Sequence, residues 1–139
     1  MDTSLIDANI FLELELGQSR SSECKEFLSQ VARGRIKAVT TDFILDSVAL
    51  VMEDKRSPPK DIRKFFVSLA LYKGLSIYSL DLKDRIVAAE EMIRERLDFD
   101  DSTSIAAMKP LKIKDIVSFD KDFDGAKALT RVEPRDILR

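Results

Sequence analysis

Ser4-Leu5-Ile6-Asp7-Ala8-Asn9-Ile10-Phe11-Leu12 decides the fold class. A short apolar run ends on an aspartate, and an apolar-periodic segment begins directly after it. This reads as a strand that delivers Asp7 to the first turn of a helix. Two roles are open to that carboxylate. Aspartate is a preferred helix N-cap, and the crevice at the carboxyl ends of strands in open α/β sheets is where ligands bind. Which role applies depends on whether other carboxylates reach the same edge.

The same alternation continues outward from this stretch. Asn9 to Leu16 is helical in pattern and closes at Gly17, and a second helix, capped by Ser19 or Ser21, turns Cys24, Phe27, Leu28 and Val31 to one side. Residues 35–40 read as a strand, after which Thr41 caps a helix from Asp42 to about Glu53. That helix is apolar nearly all round, which marks it as buried, and Asp46 is the one charge inside the run Phe43–Met52. Ser57-Pro58-Pro59 breaks the chain before a helix over 60–72. Residues 75–80 alternate as a strand. Asp81 caps a helix whose apolar stripe is Ile86, Val87, Ala89, Met92 and Ile93. Asp100 or Asp101 opens a short helix over Ile105–Met108, residues 113–119 form a strand ending at Asp120, and residues 128–132 form a last one. Strands alternating with helices predict a mainly parallel sheet of about five strands, covered on both faces in a three-layer α/β/α arrangement.

Composition narrows the chemistry. The 139 residues suit one domain and are 35% charged, with no apolar run near the roughly 20 residues that span a bilayer. No secretory-signal pattern opens the chain, and one cysteine forms no internal disulfide, so a reducing cytoplasm is expected. There is no histidine, which removes Ser-His-Asp and Cys-His catalysis and a His-ligated zinc. Hydrolytic chemistry must therefore rest on carboxylates. The net charge of −2 is uneven: Lys55–Lys73 holds six bases against one acid, and Asp81–Asp101 holds eight acids against four bases.

On this layout Asp7 and Asp120 follow strands, Asp101 opens a helix feeding a strand, and Asp46 lies one turn into a helix that starts at a strand's carboxyl end. All four are placed to face one crevice. Asp7, Asp101 and Asp120 also fit as caps or turn residues. Asp46 is too deep in its helix to cap, so a salt bridge or a cation is needed if it is buried. Clustered carboxylates raise one another's pKa unless a cation joins them. Mg²⁺ or Mn²⁺, hard ions that accept a few carboxylates, suit such a set and suit phosphodiester hydrolysis.

The carriers Leu5-Ile6-Asp7-Ala8-Asn9-Ile10-Phe11, Thr41 with Asp46, Phe99-Asp100-Asp101-Ser102-Thr103-Ser104-Ile105-Ala106-Ala107 and Ile116-Val117-Ser118-Phe119-Asp120-Lys121-Asp122-Phe123-Asp124 resemble, in order and spacing, the PIN-domain ribonucleases. These include the toxins of VapBC-type toxin–antitoxin pairs. The resemblance implies one PIN-like domain over residues 1–139 and a Mg²⁺- or Mn²⁺-dependent ribonuclease with metal ligands Asp7, Asp46, Asp101 and Asp120. It also implies Asp124 and Ser118 as auxiliary residues, RNA as substrate, an antitoxin as partner and a homodimer. Asp46 stands where the family commonly has Glu, so the competing expectation is an inactive PIN domain that binds RNA or a protein. Lys60, Arg63 and Lys64 are the expected RNA-facing bases, the same stretch being open to a subunit interface through Phe65 and Phe66.

Overall fold

A computed structural model describes residues 2–138. Five strands form one all-parallel sheet in the order β3-β2-β1-β4-β5: β1 (Ser4–Ile6), β2 (Ala38–Thr41), β3 (Leu75–Tyr78), β4 (Asp115–Val117) and β5 (Thr130–Val132). Helices α1 (Ala8–Glu15), α2 (Ser21–Ala32), α3 (Asp42–Asp54), α4 (Pro59–Ala70), α5 (Leu82–Glu95), α6 (Phe99–Leu111) and α7 (Pro134–Leu138) flank it. This is the expected α/β/α arrangement. The chain adds β2 and β3 on one side of β1, then crosses to add β4 and β5 on the other. The order therefore reverses between β1 and β4, and the crevice beyond their carboxyl ends is the topological switch point where ligands bind in such sheets. Asp7 and Asp120 follow those two strands.

Strand β1 is buried along its length, as a central parallel strand must be. Ile10 and Phe11 of α1, Phe27 of α2, Ile44 and Met52 of α3, Ile105 of α6, and Ile116 of β4 complete the core. Phe65 of α4 meets Phe11 edge-on, with ring centroids 5.7 Å apart. Gly74 brings β3 against the α2–β2 connection. Its N–H donates to the Val31 carbonyl at 2.9 Å, and a Cβ there would lie 2.2 Å from the Ile36 carbonyl oxygen. Only glycine fits so close to backbone.

Four helices differ from expectation. In α5 the expected apolar stripe faces outward, with Ile86, Ala89, Met92 and Ile93 exposed, and Ala88 and Glu91 are its buried residues. Helix α3 is not buried all round: Asp46 and Leu50 are exposed, and Ile44, Leu45, Val48 and Met52 form its inner face. The helix buried on every face through its middle is α6. It is longer than its apolar residues suggested, and eight consecutive residues, Asp101 to Met108, are buried. Its small side chains, among them Ser102, Ser104, Ala106 and Ala107, let neighbours close on every face. Helix α2 starts without a side-chain cap: neither Ser19 nor Ser21 occupies the N-cap position, which belongs to Arg20.

Candidate metal centre

Asp7 takes the first of the two roles that the sequence left open, the helix cap, with one of its oxygens. Its Oδ1 accepts the Ala8 N–H at 2.8 Å, capping α1. Its Oδ2 accepts the Ser118 hydroxyl at 2.7 Å and the Asn9 side-chain amide at 3.2 Å. Ser118 is the joint between the two strands: its oxygen also accepts the Asn9 amide at 3.1 Å and the Asp120 N–H at 3.0 Å. Asn9 finishes the lattice by accepting the Phe119 N–H at 3.1 Å. A hydroxyl has one proton and two lone pairs, and all are used, so Ser118 orients Asp7 and Asp120 and has no lone pair left for a cation.

Asp101 arrives on α6. The cap of that helix is Asp98, whose Oδ1 accepts the Asp101 N–H at 2.8 Å, rather than Asp100 or Asp101. Capping by Asp98 leaves the Asp101 carboxylate uncommitted. It is buried, and it accepts no hydrogen bond and forms no ion pair among the described residues. Carboxylate oxygens of Asp101, Asp120 and Asp122 lie within 4.8 Å of one another. Asp120 also caps the 3₁₀ turn Lys121–Gly125 by accepting the Asp122 N–H at 2.9 Å, which turns Asp122 back toward the cluster.

The electrostatics are those of acids crowded without a counter-charge among the described residues. Burial pushes the Asp7 carboxyl up to about 6, against the lowering effect of the Ser118 and Ala8 hydrogen bonds, and Asp100 and Asp120 add repulsion. Asp101 is pushed up to about 8, first by burial and then by Asp98, Asp120, Asp7 and Asp100. Burial and the neighbouring acids Asp98 and Asp120 raise Asp100 as well. Mutual influence among Asp7, Asp100, Asp101 and Asp120 puts them in one field.

Two expected members stand apart. Asp46 is exposed and makes no hydrogen bond or ion pair among the described residues, so the premise that it is a buried carboxylate in need of a partner does not hold. Asp124 turns to Arg131, with Nε to Oδ1 at 2.7 Å. Arg131 in turn donates to the Ser118 carbonyl at 3.0 Å and to Glu133 at 2.8 Å. Arg20, paired with the same Glu133 at 2.7 Å, lies 3.8 Å above the Phe119 ring centroid. The Ser118–Asp120 turn is thus braced from the side away from Asp7. The bases Lys60, Arg63 and Lys64 are exposed on α4.

Asn9 and Asp122 are site residues that sequence reasoning did not single out. Asp-x-Asp spacing at 120 and 122 was the available signal for the second. Asn9 looked like an ordinary first-turn residue, and its long-range partners are set only once β1 and β4 pair.

A model of the PIN domain matches residues 4–129. No curated protein sequence matches the chain. Among solved structures, the chain is similar to VapC20 of Mycobacterium tuberculosis, a sarcin–ricin-loop-cleaving toxin. The TM-score is 0.74 at 18% identity, covering 92% of this chain and 97% of that one. It is similar to VapBC2 of Rickettsia felis, bound to a DNA fragment from their promoter, with TM-score 0.71, 12% identity and coverage of 95% and 98%. A toxin–antitoxin complex from Klebsiella pneumoniae gives TM-score 0.67 at 16% identity, with coverage of 94% and 97%. At these identities the likeness is one of fold.

Proposed function

This chain belongs to the PIN-domain family, and on that premise we propose that it is a Mg²⁺- or Mn²⁺-dependent ribonuclease, the toxin of a toxin–antitoxin pair. The observation that carries the reading is the carboxylate of Asp101, a residue itself buried, which has no partner among the described residues and lies within 4.8 Å of oxygens of Asp120 and Asp122. Such an oxygen-only donor set fits a hard divalent cation. Asp101, Asp120 and Asp122 would hold it, with Asp7 beside them.

A bound divalent cation supplies activation of water at neutral pH and neutralises charge on a scissile phosphate. The chain's own residues do the rest. Ser118 and Asn9 hold Asp7 in one rotamer, so its carboxylate needs no reorganisation when RNA arrives. Lys60, Arg63 and Lys64 would contact RNA phosphates, a salt-sensitive attraction independent of sequence. Asp46 would act from the rim of the crevice. An antitoxin partner fits the toxin–antitoxin complexes of the same fold.

The test is incubation of purified protein with single-stranded and structured RNA, in Mn²⁺ or in EDTA. Cleavage is expected only with Mn²⁺, abolished by Asp7→Asn. Asp46→Asn should slow it by about tenfold, while stability stays within about 0.5 kcal/mol because the side chain is exposed and has no partner among the described residues. Binding of RNA with no cleavage in any divalent metal would replace this reading with that of an RNA-binding or protein-interaction module.

A further inference from the structure

The end of α6 far from the metal centre encloses a cavity of about 360 Å³ with the segments that lead into β4 and β5. Ile105 and Met108, one and two turns beyond Asp101, meet Ile113 and Leu129 there, and all four are buried. Ile113 and Leu129 precede their strands, so the cavity lies at the amino edge of the sheet. The crevice of Asp7 and Asp120 is at the opposite, carboxyl edge. Small-ligand sites have this character: about 300–1,000 Å³, mostly apolar, with a few polar groups that orient what binds.

The polar groups here are lysines. Lys109, Lys112 and Lys114 border the apolar lining. Helix α5 fastens the surroundings in place. Its buried Glu91 pairs with Lys109 and Arg94, and its Glu95 accepts the Lys127 and Ala128 N–H groups at 2.6 and 3.2 Å. Those acids and Lys109 are thereby committed. Lys112 and Lys114 are not: both are exposed, and neither forms an ion pair among the described residues. An apolar pocket with two uncompensated ammonium groups at its edge is complementary to a molecule with an anionic head and an apolar body. Ile105, Met108, Ile113 and Leu129 offer flexible aliphatic and thioether surface rather than the aromatic rings on which a planar base stacks. That body is therefore an alkyl chain.

We propose that this cavity binds a free amphiphilic carboxylate, its chain against Ile105, Met108, Ile113 and Leu129 and its head group between Lys112 and Lys114. The site is independent of the metal centre and of the nuclease reading. Calorimetric titration of the full chain with monomeric decanoate tests it, with circular dichroism as the control for folding. Decanoate is expected to bind about 15-fold more tightly than octanoate, two methylenes at roughly fourfold each. Lys112→Glu combined with Lys114→Glu, both at exposed positions, should weaken binding by about tenfold or more. Ala128→Trp, at an exposed residue of the lining, should fill the cavity and abolish binding. Ile86→Glu, on the exposed apolar side of α5, should change nothing. Decyltrimethylammonium, the same chain with a cationic head, should not bind. Methyl resonances of Ile105, Met108 and Ile113 should shift on titration. Equal binding of the two head groups, indifference to the lysine reversal, or shifts at Ile86 and Ile93 instead would overturn the proposal. So would binding to anionic lipid vesicles without binding to free decanoate.

Discussion

Replacing Asp101 by asparagine is expected to abolish metal-dependent RNA cleavage while making the metal-free protein more stable. The two effects have one cause. Asp101 is buried, accepts no hydrogen bond among the described residues, and feels Asp98, Asp120, Asp7 and Asp100, which with burial push its carboxyl up to about 8. The free protein bears that repulsion and a bound cation removes it. Asparagine keeps the size and drops the charge, so the Tm without metal should rise by about 3 °C or more. Loss of a direct ligand should exceed the roughly 10- to 100-fold cost of losing a supporting group, putting the fall in kcat/KM on the order of a thousandfold. Melting curves in EDTA and single-turnover cleavage in Mn²⁺ check the pair. A variant that is less stable without metal would indicate an ordinary structural carboxylate.

The second large effect is on pH. Asp7 and Asp101 have folded-state pKa values, about 6 and about 8, above their ordinary 3.8. Their contribution to stability is fully present below about 3.8 and is lost as pH rises, through about 6 for Asp7 and about 8 for Asp101. Glu133, held down to about 2 by Arg20 and Arg131, acts oppositely: its contribution is present above its ordinary 4.5 and lost as pH falls through about 2. Metal-free protein should therefore lose stability from pH 5 to pH 8. Mn²⁺ competes with the protons of the cluster, so its protection should grow over the same range, reaching about 2.7 kcal/mol at a hundredfold excess over Kd. Thermal melts at pH 5 and pH 8, with and without Mn²⁺, check this. Equal protection at both pH values would show that Asp7 and Asp101 do not share the ion's site.

Much of this was legible in the chain because two signals are local. Apolar runs ending at Asp7 and Asp120 predict strands whose carboxyl ends hold acids, and Thr41 and Asp81 cap the helices they precede. What was not legible depends on which way a helix faces. Helix α3 reads as buried from composition, yet packing leaves Asp46 and Leu50 outside. Helix α5 carries a clear apolar stripe, and periodicity says nothing of whether the core or another molecule receives it. Helix α6 is buried from Asp101 to Met108 although no apolar stripe marks it, because small polar residues pack as readily as aliphatic ones. At the site, Asp98 takes the cap that adjacent Asp100 and Asp101 competed for in the sequence, and Asp124 goes to Arg131, thirteen residues beyond Ser118. No membrane-crossing helix was expected, and none of the described helices is long and apolar enough to be one.

Asp101, Asp120 and Asp122, beside Asp7, are proposed to hold a divalent cation. Anomalous diffraction from crystals soaked in Mn²⁺ at pH 8 tests it most directly. A manganese peak bonded to oxygens of Asp101 and Asp120 is expected. Crystals with no peak there at saturating Mn²⁺, or with Asp101 bound instead to a protein cation, would contradict it.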